Sequence, residues 1–464
     1  MLADIRQRFV PPYPAIPDSD LSLLQFLKAV RTNALQIWPR AAYEQDSVAR
    51  SLLGRTMTLL NKPEAIHRVL VENPENYRRG RASLRILRPV MGKGLLLSEG
   101  EDWKLQRRTI APALAPRMIP LLARHIATAA AEWIAEIRSQ SARPVELFPA
   151  LQFLALEIAG RSMFSMEMRE HGPEMRALLL QFGFGLARPR LLDILLPPSV
   201  PTIHDFVRRR FRARWMALIE RLMDARLRQQ HESGARDLFD LLLAARDPET
   251  GAGFSREQLR DQTATMIIAG HETTAVALFW SVYLVACCET EQDRVAAEVR
   301  GRALGPDSAN ETLSGLAVTR AVVSEAMRLF PPGFTLVREA ISDDVCGGIP
   351  IRRGSTAMIA PWVLHRHRKL WRDPEAFDSS RFLPGAPPPP RFAYMPFGAG
   401  PRICVGAQFA MAEAALVLAA LVQNFRITLA DTRPVLPAAV ITTYPDHSPP
   451  FRLEPREPAL ARAA

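Results

Sequence analysis

The residues best placed to do chemistry lie in one decapeptide, Phe397-Gly398-Ala399-Gly400-Pro401-Arg402-Ile403-Cys404-Val405-Gly406, which runs straight into the helical pattern Ala407 to Asn424. A cysteine at a helix start is disposed to be a thiolate, because the positive end of the helix dipole and the free backbone N–H groups favour negative charge. A thiolate is both a nucleophile and a metal ligand. The glycines before it permit a tight turn that brings backbone amides toward the sulfur, and Gly406 leaves room for a flat group against the helix. Phe397 is placed to shield the sulfur from water. An isolated cysteine is usually an inert buried side chain, but here the whole decapeptide has to be explained, which favours a ligand.

Three further constellations carry chemistry. Ala269-Gly270-His271-Glu272-Thr273-Thr274 forms a polar island inside the apolar stretch Ser255 to Cys288. A carboxylate beside a hydroxyl can hold a water relay for protons, and small Ala269 and Gly270 let a helix pass close over a bound group. The competing reading has Thr273 bonding back to a helix carbonyl; His271 is not assigned as a ligand. Glu325 and Arg328 stand at i, i+3, so their charged ends meet on one helix face, a pair worth only ~0.2–0.5 kcal/mol on an exposed helix. Trp103 and Arg107 stand one turn apart, so indole N–H and guanidinium reach the same carboxylate.

The decapeptide resembles the heme-binding loop of the cytochrome P-450 superfamily, matching its Phe, two Gly, Arg, Cys and Gly positions. The resemblance implies heme b (iron protoporphyrin IX) with Cys404 as its axial metal ligand, pushing electron density toward oxygen. It implies that Glu272 and Thr273 are the catalytic acid and alcohol. Glu325, Arg328 and Arg381 map onto the family's structural triad, although Ser379-Ser380 stands where Pro-Glu is commoner. Trp103, Arg107 and Arg402 fit propionate-binding positions, and Arg338 fits by spacing alone; Ala269, Phe397 and Gly406 complete the cofactor-binding set. The substrate would meet Arg81 to Leu97, Leu178 to Pro197, Thr265 and Ala269, Gly333 to Val337, and Val440 with Ile441, stretches that are mostly apolar and so suit a hydrophobic small molecule. Lys104 and Arg108 are candidates for docking a reductant, with solvated charge as the alternative.

These residues need positioning elements. A short helix is expected near Leu21 to Thr32, a β-rich portion at about 40–62 with a hairpin turn at Leu52 to Thr56, and a helix from Pro63 to Asn73. Long helices dominate from about Leu114 to Phe330, with one continuous helix over Ser255 to Cys288. Leu191 to Pro201 reads as an apolar loop, followed by a basic helix carrying Arg208, Arg209, Arg210, Arg212 and Arg214. That pair suits contact with a membrane surface, against the simpler reading of a solvated helix face. Asp343 to Ile359 reads as hairpins, Asp373 to Tyr394 as irregular, and Val440 to Tyr444 as a strand. With no internal repeat and no linker, residues 1–464 are expected to form one domain. The resemblance implies a mainly α (α+β) fold, a helical prism with a small β region.

Composition narrows the classes. Hydrophobic residues at 48% and charged residues at 23% are ordinary for a globular chain, which argues against disorder and against a membrane-spanning bundle. The net charge of +11 comes without a long cationic block, which disfavours nucleic acid; it suits steering of an acidic partner protein. Cys287, Cys288, Cys346 and Cys404 make neither a disulfide framework nor a zinc pattern, and Met1 to Pro17 has no signal-like apolar run, so a cytoplasmic location is expected. The segment after Cys404 is too short for a flavin or iron–sulfur domain, which points to a separate ferredoxin and ferredoxin reductase as transient partners. Two other functions remain open: a peroxide-driven peroxygenase on the same fold, and a non-catalytic heme protein that binds lipophiles. The pair Glu272 and Thr273 weighs against both.

Overall fold

The computed structural model describes residues 9–457 apart from 53, 141, 169, 198 and 230–234; the chain ends within the expected 1–464 domain lie outside the described residues. The long helix forms as Arg256–Cys287. A capping box opens it: Gln258 N–H donates to Ser255 Oγ, and Ser255 N–H donates to Gln258 Oε1 at 2.9 Å. From Thr274 to Val285 every side chain is buried, so this helix is apolar all round and must run through protein. It and Ala407–Asn424 are long and apolar enough to cross a membrane, yet 72% and 61% of their apolar windows are buried inside the fold.

The Leu147–Phe164, Ala317–Leu329 and Ala407–Asn424 helices pack against this central helix. Trp280 fixes the junction, with its ring stacked on Phe330 at 3.9 Å between centroids and its Nε1 donating to the Thr443 carbonyl at 2.6 Å. That bond ties the Pro437–Ala439/Thr443–Pro445 hairpin to the helix. The strand expected over Val440 to Tyr444 is therefore the turn and return arm of this hairpin, because Trp280 captures a carbonyl there.

The main sheet has five strands in the order Ser47–Leu52, Arg55–Leu60, Thr356–Ile359, Leu336–Ala340, Tyr77–Arg79, parallel only between Arg55–Leu60 and Thr356–Ile359. The first pair is the expected hairpin, turned at Gly54 with φ +76°. The start of the expected β-rich portion is instead a short 3₁₀ turn, Arg40–Tyr43. Asp344–Cys346 and Ile349–Ile351 pair as a separate hairpin, as expected. Pro63 opens a helix that runs as Pro63–His67 and continues in wider turns to Glu72. Leu191 to Pro201 is not wholly a loop: Leu191–Leu195 is a short helix, because Asp193 accepts from the Arg190 N–H and caps it.

Candidate functional site

The Cys404 loop is built by glycine. Gly398 and Gly400 have φ of +74° and +73°, and a Cβ on Gly400 would stand 2.1 Å from the Leu70 carbonyl oxygen. The turn closes with Cys404 N–H donating to the Phe397 carbonyl at 2.9 Å. Cys404 thus precedes Gly406, the N-cap of Ala407–Asn424. One side of Cys404 is open while protein crowds the rest. Burial pushes its thiol up, opposed by the Gly406 N–H and the Arg107 guanidinium. A Cβ on Gly406 would meet no atom within 4 Å, and the same holds for Gly270 on the central helix. Both glycines leave space where the sequence reading asks for it.

Cations crowd beside this loop. Arg107 Nη1 donates to the Ile403 carbonyl at 2.9 Å. The Arg402 guanidinium lies 4.4 Å from the centroid of the Trp103 ring, donates to the Ser98 carbonyl at 2.9 Å and pairs with Glu99. Arg338 is buried, and its Nη1 donates to the carbonyl of its own neighbour, Val337, at 3.0 Å. Arg79 stands 3.8 Å from Glu99, and its buried Nε has no hydrogen-bond partner. Burial first, then repulsion from Arg338 and Arg402, pulls Arg79 down to about 9; burial and Arg402 pull Arg338 down to about 10. Several buried guanidinium groups with one carboxylate among them are an unfavourable arrangement unless an anion completes it. Two carboxylates would do so, and the two propionates of a heme therefore fit the donors present.

On the central helix, Glu272 and Thr273 are neighbours but are not hydrogen-bonded to each other. Glu272 accepts from Thr442 Oγ1 at 3.3 Å and from Gln152 Nε2 at 3.4 Å. Burial pushes its carboxyl up, with those two donors opposing. Thr273 Oγ1 donates to the Ala269 carbonyl at 2.5 Å, so the back-bonding expected of a helical threonine is present. His271 is buried, bonds the Gln152 carbonyl at 3.0 Å, and is pulled down to about 4 by burial, a neutral structural side chain.

The triad assembles in the interior. Glu325 and Arg328 meet through two bonds of 2.7 Å, both fully buried, and Arg381 Nε lies 3.5 Å from Glu325. Arg328 also donates to the carbonyls of His365, Pro374 and Ala376 at 2.6–2.8 Å. It thereby pins the irregular segment that leads to the Cys404 loop. The departure at Ser379 has its own anchor: Ser379 Oγ donates to Glu291 at 2.6 Å.

Lys104 and Arg108 each have carboxylate partners. Lys104 pairs with Glu75 and Glu101, and Arg108 with Asp247 and Glu249. Of these partners only Asp247 is buried; Glu75, Glu101 and Glu249 are exposed. Of the expected substrate stretches, Thr265 is buried with its hydroxyl on the Asp261 and Met91 carbonyls, Phe334 is buried, and Ile441 is exposed.

Sequence reasoning missed Arg79, Glu99, Gln152 and Thr442. Arg79 lies in Arg78-Arg79-Gly80-Arg81, a run that resembles any solvated basic cluster. Nothing in a one-dimensional pattern separates the buried member from the others. Gln152 and Thr442 sit more than a hundred residues from Glu272.

Helical core, glycine-built cysteine loop and the guanidinium cluster beside it together suit a heme-binding protein. The chain belongs to the Cytochrome P450 family, whose sequence profile matches residues 36–445. It is 33% identical over 388 residues to Cyclooctatin synthase of Streptomyces melanosporofaciens, covering 82% of this chain and 83% of that one. Cyclooctat-9-en-7-ol 5-monooxygenase of the same organism is 32% identical, covering 79% of each chain. A solved cytochrome P450DA heme domain shares the fold with a TM-score of 0.80, 23% identity, and coverage of 97% of this chain and 99% of that one. The protein is a cytochrome P450 monooxygenase.

Proposed function

We propose that this monooxygenase carries heme b and inserts one oxygen atom from O₂ into a hydrophobic small molecule. Electrons would come from a ferredoxin and its reductase, and the protein would work as a single cytoplasmic domain. The observation that carries the reading is the group of arginines, buried Arg338 with partly buried Arg79 and Arg402, gathered around Glu99 beside the Cys404 loop. Bound heme supplies the iron at which dioxygen is activated, and thiolate ligation favours O–O cleavage.

The chain's own residues do the rest. Cys404 is the metal ligand, held by the Phe397 carbonyl and the Gly406 N–H. Trp103, Arg107, Arg338, Arg402 and, in addition, Arg79 hold the propionates. Glu272, whose carboxyl burial pushes up, is the acid that would supply protons by way of water at Thr273 Oγ1 to the oxygen side of the pocket. Ala269, Phe334 and Val440 present apolar surface to the substrate. The name of one relative specifies cyclooctat-9-en-7-ol, a hydroxylated hydrocarbon, and a substrate of that character suits these side chains.

The test is the spectrum of the reduced, carbon-monoxide-treated protein. A strongly red-shifted Soret band is expected, and it is lost in Cys404→Ala. Absence of the band in the purified heme-loaded protein overturns the reading. Turnover that needs no reductant and runs on peroxide alone would replace it with the peroxygenase.

A further inference from the structure

A cavity of about 170 Å³ opens where the amino-terminal segment meets the chain that leads toward the Cys404 loop, lined by Tyr13, Ile16, Arg40, Tyr43, Arg368 and Glu375. None of these residues belongs to the heme site described above. A single water needs only ~10–15 Å³ of such space, so there is room for a larger occupant. Tyr13, Arg40 and Arg368 are exposed at the rim, whereas Tyr43 is buried.

Beneath the cavity lies Arg366, whose side chain is only 2% exposed. Its guanidinium sits over the Trp362 ring, 3.6 Å from the centroid, and its Nε stands 3.2 Å from Oε2 of the cavity-lining Glu375. That approach lacks the alignment of a hydrogen bond: Arg366 Nε, Arg366 Nη1 and Glu375 Oε2 are all buried without a hydrogen-bond partner. The Tyr43 hydroxyl accepts from Trp362 Nε1 at 3.0 Å, which leaves its own proton to donate. Burial pushes that phenol up, so the proton stays, and among the described residues no acceptor meets it. Buried donors without acceptors are costly. An acceptor seated in the cavity removes the cost.

The charge at the cavity selects an anion. Arg40, Arg366 and Arg368 face one carboxylate, Glu375, while Asp18 and Glu44, the partners of Arg40 and Arg368, stand outside the lining. Both of those outer pairs are exposed and therefore weakly held, so the rim guanidinium groups are able to turn to a ligand. Glu375 answers the charge of Arg366, and the cations left over suit an oxyanion that accepts from Arg366 Nη1 and the Tyr43 hydroxyl. Tyr13 and Ile16 offer a wall for a short carbon body. Arg366 and Glu375 each follow a residue, His365 and Pro374, whose carbonyl accepts from Arg328 of the triad. An occupant held by Arg366 would thus brace the segment that Arg328 pins.

We propose that this cavity is a binding site for a small oxyanion, a carboxylate or a phosphate, held by Arg366, Tyr43, Arg40 and Arg368. The proposal stands apart from the heme reading, because none of these side chains serves the iron or the propionates. Titration calorimetry of the heme-loaded protein with sodium benzoate and, separately, with inorganic phosphate tests it. Saturable one-to-one binding is expected, with the Soret band unmoved. Tighter binding of benzoate assigns a carboxylate as the occupant, and tighter binding of phosphate assigns a phosphate. Tyr43→Phe and Arg40→Ala/Arg368→Ala should each weaken the binding about tenfold or more. Arg209→Ala/Arg210→Ala, on the Ile203–Arg228 helix, should leave it unchanged. Unaltered circular dichroism and Soret spectra show that the variants fold. No saturable binding of either anion to the unaltered protein overturns the proposal, as does full affinity in both cavity variants or binding seen only together with a Soret shift. An equal loss in Arg209→Ala/Arg210→Ala also overturns it, because the anion would then be answering general surface charge.

Discussion

Arg79 and Arg338 stand directly opposite each other on adjacent antiparallel strands, Tyr77–Arg79 and Leu336–Ala340. Like charges in that position oppose strand pairing, and here both side chains are extensively buried, with one carboxylate, Glu99, within electrostatic reach. An arrangement unfavourable to the bare fold is what a site for a dianionic group requires.

Replacing either arginine by leucine is therefore expected to leave the heme-free fold at least as stable while weakening retention of heme. A charge-assisted hydrogen bond contributes ~1.5–3 kcal/mol, so heme transfer to apomyoglobin should accelerate ~10- to 100-fold in Arg79→Leu and in Arg338→Leu. Equal transfer rates would remove Arg79 from the propionate set.

Two glycines of the cysteine loop should behave oppositely. In Gly400→Ala the new methyl collides with the Leu70 carbonyl at a positive φ, and a loss of ~2–3 kcal/mol in urea unfolding is expected. In Gly406→Ala the methyl meets no protein atom, so unfolding in the heme-free state should stay within ~0.5 kcal/mol. Its effect should appear instead in the Soret band of the heme-loaded protein.

Glu325→Ala removes the carboxylate of a fully buried pair. Stranding Arg328 should destabilise the protein by ~3–5 kcal/mol. Denaturant unfolding measures this, and the yield of heme-bearing protein should fall with it.

Glu413, on the Ala407–Asn424 helix, is buried with Oε1 unpartnered, and burial alone pushes its carboxyl well above the ordinary range. The native state keeps a proton that the unfolded chain releases, so stability declines as pH rises from the ordinary carboxylate range toward the raised value. Glu413→Gln should flatten that decline in urea midpoints measured across pH.

Glu272→Gln and Thr273→Val should each slow product formation ~10²-fold, the lower end of what general acid–base catalysis contributes. The ratio of peroxide released to product formed should rise in both. A change confined to KM would place the pair in substrate binding instead.

Local chemistry written along the chain was legible without coordinates. The Cys404 decapeptide, the capped helix over Ser255 to Cys288 and the i, i+3 pair at Glu325 and Arg328 depend on neighbours a few residues away, and helix period and turn chemistry report such neighbours directly. The class of reaction followed from the resemblance these residues bear to the cytochrome P-450 superfamily. What remained hidden was set by contacts between distant segments: the cross-strand meeting of Arg79 with Arg338, the Thr442 and Gln152 bonds to Glu272, the ion pairs that occupy Lys104 and Arg108, and the inward turn of Arg85 and Arg208 that leaves Ile203 and Phe206 outside. An arginine has the same letter whether solvated or buried, and its role depends on which strand or carbonyl the folded chain brings beside it.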